Sequence, residues 1–83
     1  MKKSTRLFEL YKYLIELEEP VSIQVLSQLL DVSGRTIRYD LDEIEDLIKD
    51  YELKLVKKPN YGVMIEGIDE EKVKVFAEFD NFY

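Results

Sequence analysis

The chain has no histidine and no cysteine among its 83 residues. These absences exclude disulfide staples, thiolate or imidazole zinc sites, Cys or His nucleophiles, and every triad that uses an imidazole base. Also missing is any apolar run approaching the roughly 18 to 20 residues of a membrane span. Met1-Lys2-Lys3 leads into an amphipathic segment, unlike the continuous apolar stretch of a signal peptide. There are no internal repeats and no low-complexity tracts. What remains is one small domain with 46% hydrophobic residues, enough for a single modest core. It is expected to be cytoplasmic, to act away from the membrane, and to have neither enzymatic activity nor a cofactor. Paired carboxylates such as Asp42 and Asp46 lack the loop geometry and third ligand of a cation site, so no metal is expected either.

Cations are also few: 12 Lys and Arg stand against 18 Asp and Glu, a net charge of −6. As one number this argues against a polyanionic partner, because phosphate binding needs cations. The distribution argues the other way. Residues 33–39 hold Arg35 and Arg38 and no acid, whereas residues 40–52 hold Asp40, Asp42, Glu43, Glu45, Asp46, Asp50 and Glu52 against the single Lys49. Further basic residues gather at Lys2, Lys3 and Arg6 and at Lys54, Lys57 and Lys58, with Lys12, Lys72 and Lys74 apart from these groups. A bipolar chain of this kind can turn a cationic face to nucleic acid while its other side stays acidic.

Hydrophobic spacing predicts a first helix from residue 4 or 5 to about 17, with Leu7, Leu10, Tyr11, Leu14 and Leu17 on one face. Phe8 and Ile15 widen that stripe, so the helix either packs on two sides or keeps surface for a partner. Glu18-Glu19-Pro20 stops it, and Val21 can begin a short extended piece. Ser22 is placed to cap a second helix of about two turns, buried through Ile23, Leu26, Leu29 and Leu30. Asp31-Val32-Ser33 then makes a tight turn, with Val32 under the corner. Ser33 caps a third helix running to about 50 or 51, whose apolar series is Ile37, Leu41, Ile44 and Ile48. At about 100° per residue, with Ile37 facing the core, Arg35 and Tyr39 point nearly the opposite way and Thr36 and Arg38 flank them. Asp40 falls at the core edge, where pairing with a cation such as Arg6 or capping backbone near the hairpin is expected.

Beyond that helix the period changes to alternation. Residues 53–58 and 63–66 read as two strands joined by Pro59-Asn60-Tyr61-Gly62, in which Asn60 and Gly62 tolerate positive φ. The order helix, helix, helix, strand, strand describes an α+β winged helix-turn-helix: a three-helix core, a two-stranded β-hairpin wing, and a C-terminal helix that Asp69 could cap. Residues 1–67 are expected to form the DNA-binding domain, with residues 68–83 a helical segment, linker or dimerisation element. Phe76, Phe79, Phe82 and Tyr83 crowd the last eight residues. They imply a longer parent protein, a dimer interface, or a helix folded back on its own domain.

The run from Val21 to Leu41 resembles the helix-turn-helix of bacterial sugar-operon regulators. It is most similar to the N-terminal winged helix of regulators that carry phosphotransferase-system regulation domains, the mannitol-activator and antiterminator-like group, and more distantly to the deoxyribose-repressor type. A Val-Ser-x-Arg-Thr-Ile-x-x-Asp-Leu pattern opens the recognition helix in these groups, and Val32, Ser33, Arg35, Thr36, Ile37, Asp40 and Leu41 fit it. The wing from Lys58 to Gly67 is similar too. The resemblance covers roughly residues 5–67. Asp31 departs from it, standing where many such turns have glycine. Full-length relatives continue into domains phosphorylated on histidine, which these 83 residues lack.

The resemblance implies double-stranded DNA as partner, with further domains in a longer regulator, and a homodimer is expected because one small module buries limited surface on DNA. Arg35 is the leading base or phosphate contact, because a guanidinium near the start of a recognition helix can hold guanine O6 and N7 together. A surface ion pair is its alternative. Arg38 suits a phosphate, or a salt bridge to Asp42 four residues on. Thr36 and Tyr39 can touch a thymine methyl or a phosphate, or cover the core edge. Ser33 and Gly34 bring free N–H groups to the helix start. Lys57 and Lys58 point to opposite faces of a strand, so at most one reaches DNA easily. Tyr61 tips the wing. The competing reading is a protein-interaction winged helix that binds no DNA, supported by the net charge. RNA binding is a third, disfavoured because Tyr61 is the wing's lone stacking aromatic.

Overall fold

Three apolar stripes at helical spacing become three helices in the computed structural model, which describes residues 2–82 and their side chains as far as Phe79. Helix α1 (Lys3–Ile15) buries Leu7, Leu10, Tyr11 and Leu14. Its end falls short of residue 17 because the amides of Glu16 and Leu17 bond three residues back, to Tyr13 and Leu14, and tighten the last turn. Neither Ser4 nor Thr5 caps it; Lys2 holds the cap position without a side-chain bond. Helix α2 (Ile23–Leu30) buries Leu26 and Leu30. Leu29, expected on that buried face, is 54% exposed. A helix of eight residues buries a narrow i, i+4 stripe, and Leu29 lies beside it.

Helix α3 (Gly34–Ile48) buries Ile37, Leu41, Ile44 and Ile48, the series its spacing predicts. Strands β1 (Leu53–Lys58) and β2 (Gly62–Gly67) pair antiparallel, with Leu53 opposite Gly67 and Lys58 opposite Gly62. Leu55, Val63 and Ile65 face the helices and close the core. The architecture is an α+β winged helix. No helix among the described residues is long and apolar enough to cross a membrane.

The C-terminal segment differs in detail from a single capped helix. It forms α4 (Asp69–Lys74) and α5 (Phe76–Phe82), divided at Val75, where the Glu78 amide bonds three residues back to the Val75 carbonyl. Asp69 is the first helical residue; Ile68 takes the cap position and has no acceptor to offer. Phe76 and Phe79 turn inward onto α1. The rings of Phe8 and Tyr11 each meet both of them, at centroid separations of 5.4 to 5.7 Å and in tilted or edge-on geometry. Such pairs contribute about 0.5–1.5 kcal/mol each beyond the area they bury. The doubled stripe on α1 thus has an occupant from its own chain. The expectations for the Phe82 ring and for Tyr83 lie outside the described residues.

Polar contacts stitch this segment down. The Tyr11 hydroxyl donates to the Lys72 carbonyl at 2.6 Å, and burial holds that phenol well above its ordinary range, so it stays protonated. Lys72 Nζ donates to the Ile15 carbonyl at 3.4 Å, a cation at the C-terminus of α1 where the helix dipole favours one. The Tyr51 hydroxyl donates to Glu78 at 2.7 Å. Glu71 accepts from Lys74 at 2.7 Å and from the Glu52 amide at 3.0 Å, and these two donors hold its carboxylate below the usual range. A carboxylate depressed in the folded state stabilises it above the ordinary value of 4.5, and that stabilisation is lost as pH falls through the folded value. Glu71→Gln is therefore expected to unfold more readily than the wild type in urea near neutral pH. The gap should narrow as pH drops below about 4.5. A gap independent of pH would contradict the assignment.

Candidate nucleic-acid interface

Local chemistry fixes the corner between α2 and α3. The Ser22 hydroxyl accepts from the Val25 amide at 3.1 Å and starts α2. At the other end Asp31 adopts the left-handed conformation, φ 54° and ψ 48°, and the Val32 amide reaches back to the Ser27 carbonyl at 3.0 Å. That bond spans five residues and closes a Schellman-type end, so Asp31 takes the place that glycine commonly holds. Val32 is half-buried at the corner. Ser33 then caps α3, accepting from the Thr36 amide at 3.1 Å and donating to the Thr36 hydroxyl at 3.1 Å. Thr36 is thereby drawn into the cap. Gly34 needs no special backbone; an added Cβ would meet Ile23 and Arg38 at ordinary contact distances of 3.4 and 3.5 Å.

Arg35, Arg38 and Tyr39 stand on the exposed side of α3, as its wheel predicts, and Tyr39 is 59% exposed. Arg35 has no acid partner among the described residues. Its Nε and Nη2 both donate to the Tyr39 hydroxyl at 3.3 Å, and the guanidinium lies 5.7 Å from the ring centroid. Arg38 makes no salt bridge with Asp42, the alternative open from sequence. Asp42 and Glu45 instead face Lys57, at 4.0 and 3.5 Å.

Between α3 and the hairpin runs a groove of about 620 Å³. Arg38, Lys57, Lys58 and Tyr61 line it, with Asp42 beside Lys57, together with Ser22, Ile23 and Asn60. The last three were not singled out from sequence, because they reach the groove only through the contact between the wing and the start of α2. That contact is short and specific. Val21 and Val63 exchange backbone bonds of 2.9 and 2.8 Å. Gly62 makes the approach possible: it holds φ +130°, and a Cβ there would sit 2.0 Å from the Val21 carbonyl oxygen. The tolerance of positive φ was legible at Gly62, but the clasp it permits was not. Asn60, at φ 70°, turns the tip, and Tyr61 projects from it, 73% exposed. Lys57 and Lys58, expected on opposite faces of the strand, both line the groove. Lys57 turns to the acids of α3, and Lys58 has no ion pair among the described residues.

The acids of α3 are largely answered from within the chain. Lys3 pairs with Glu43, Lys49 with Asp46, and Lys57 with Asp42 and Glu45. Asp40 is the one that is buried, 1% exposed, and Arg6 grips it with Nε at 2.5 Å and Nη2 at 3.0 Å. The pairing expected from sequence is therefore made, in bidentate form, and the carboxylate is withdrawn from the exposed face. The same contact raises the Arg6 guanidinium above its already high ordinary value. Among the described residues no three acidic side chains gather where a metal ion could be held.

The stretch that holds the capped helix start, the tight turn before it and the hairpin clasped beside it matches the HTH domain family over residues 6–64, from α1 into β2. The chain belongs to that family. Its residues 6–64 are a helix-turn-helix DNA-binding domain, with α2 and α3 as the two helices of the motif. No curated protein and no solved structure matches the chain.

Removing one partner of a buried ion pair leaves the other charge uncompensated, at about 3–5 kcal/mol. Arg6→Ala is expected to destabilise the helix-turn-helix domain by that order, whereas Arg6→Met with Asp40→Leu should recover most of the loss. Chemical unfolding of the two variants decides it. A double variant no more stable than the single one would mean that the packing around α1, and not the pair, was lost.

Proposed function

We propose that this helix-turn-helix domain binds double-stranded DNA sequence-specifically as the N-terminal part of a bacterial transcriptional regulator, and that it does so as a homodimer. The observation that carries the reading is the division of charge along α3. Among the described residues Arg35 and Arg38 in its first turns have no acid partner, while the acids farther along pair with Lys3, Arg6, Lys49 and Lys57. The net charge of −6 is thus compatible with a cationic contact face. In this reading α3 enters the major groove, Arg35 reads a base edge, and Arg38 holds a phosphate. Ser33 and Gly34 offer amides to the backbone, Thr36 supplies its methyl group, and Lys58 and Tyr61 follow the strand toward the minor groove. Lys57, held by Asp42 and Glu45, contributes least.

The resemblance of residues 32–41 to the phosphotransferase-regulated regulators supports a sugar-uptake operon as the target and a cytoplasmic site of action. A single small module buries limited surface on DNA, and paired half-sites add the affinity that one lacks. The reading as a protein-interaction domain draws on the net charge and on the terminal aromatics, two of which, Phe76 and Phe79, are packed against α1.

Selection of bound sites from random duplexes, followed by titration of the selected site at several salt concentrations, tests the reading. Affinity is expected to fall steeply with salt. Lys58→Ala should lower the slope of log K against log salt by about 0.9, the value of one phosphate contact. Arg35→Ala should cost about 1–3 kcal/mol and relax the selected sequence at one position. No retention of any duplex at low salt, with partner binding intact, would establish the protein-interaction reading instead.

A further inference from the structure

The sequence places Tyr39 among the DNA contacts, yet its nearest chemistry is with Arg35 rather than with an open surface. Arg35 occupies the first turn of α3, where the helix dipole repels a cation and the turn itself holds no acid. An arginine left there without support would be mobile, since a long exposed side chain gains rotamer entropy by leaving any single orientation. The Tyr39 hydroxyl lies one turn on and accepts from both Nε and Nη2 at 3.3 Å. The ring is also within cation–π reach, at 5.7 Å from the guanidinium carbon.

The geometry of that bond pair decides what stays free. A guanidinium has five N–H donors arranged in a planar fork. Tyr39 takes the Nε and Nη2 side of the fork, leaving the Nη1 and Nη2 end for an acceptor pair, and that end can hold two acceptors on a guanine edge. Asp40 comes directly after Tyr39 but is buried against Arg6, so it does not compete for Arg35.

Resting on the DNA-binding reading above, we propose that Tyr39 is a positioning residue. It holds the Arg35 guanidinium side-on, so that the end of the fork is oriented before DNA arrives, and its hydroxyl sets base specificity through Arg35. Preorganisation of this kind lowers the ordering cost of binding without adding a contact.

Two arms of one experiment separate this proposal from the reading beneath it. In the free protein, nitrogen-15 relaxation of the Arg35 Nε–Hε group is compared between wild type and Tyr39→Phe, which keeps the ring and removes only the acceptor. A restrained Nε in the wild type and a more mobile one in the variant are expected. Equal mobility overturns the proposal, whatever DNA does.

The second arm measures binding to the selected duplex and to the same duplex changed at the base pair that Arg35→Ala relaxes. Tyr39→Phe is expected to reduce affinity for the selected duplex about 3- to 10-fold while leaving the salt slope unchanged. In the Arg35→Ala background the same substitution should have no effect, because the two residues act as one unit. An equal loss in both backgrounds would make Tyr39 an independent DNA contact and overturn the proposal. If the wild type binds no duplex, the DNA reading fails while the relaxation arm still judges the contact.

Discussion

A buried carboxylate and the arginine that neutralises it set the orientation of the helix on which the rest of the interface depends. Asp40 lies on the core side of α3, and leaving it uncompensated would cost several kcal/mol. Arg6 reaches it from α1 with two donors and so ties the first helix to the third at the point where α3 changes from basic to acidic. The apolar face through Ile37, Leu41, Ile44 and Ile48 then fixes the rotation of the helix, and rotation decides that Arg35, Arg38 and Tyr39 face outward. The ion pair serves orientation more than stability, since a well-packed apolar pair of similar volume would hold as well.

A second constraint places the wing. Gly62 lets the hairpin backbone come close enough to Val21 for two main-chain bonds, so β2 is fastened to the residues that begin α2. Lys57 braces the other strand against the acids of α3. Both ends of the groove between helix and wing are therefore fixed by the helix-turn-helix itself, and the positions of Arg38, Lys58 and Tyr61 follow from one rigid frame. The C-terminal segment completes that frame from behind. It covers the second apolar stripe of α1 with Phe76 and Phe79, on the side of α1 that those rings share with Phe8 and Tyr11.

Much of this was legible in the residues, and the limits have physical causes. Caps and periodicity are local, so Ser22, Ser33, the stripe of α3 and the hairpin could be read directly, whereas the Arg6–Asp40 pair, 34 residues apart, was one of two roles open for Asp40. Boundaries drifted where the last turn of α1 tightened and where α4 and α5 parted at Val75, because such changes cost little and depend on packing. Leu29 was placed on the wrong face because eight residues define a stripe poorly. The Val21 clasp, the Lys57 brace and the Tyr39 hydroxyl on Arg35 join residues through tertiary geometry or a particular rotamer, which no spacing rule encodes. The direction of the terminal aromatics was open for the same reason: composition shows that they must be covered and not by what.

The central claim is that the first turns of α3 and the wing form one contact surface while the acidic half of that helix stays out of it. Titration of the labelled protein with its selected duplex, followed by amide and side-chain chemical shifts, tests this most directly. Changes concentrated at residues 33–39 and 58–62, with residues 43–52 unmoved, are expected. Changes centred on Val25 and Leu29, or spread along the acidic half of α3, would contradict it.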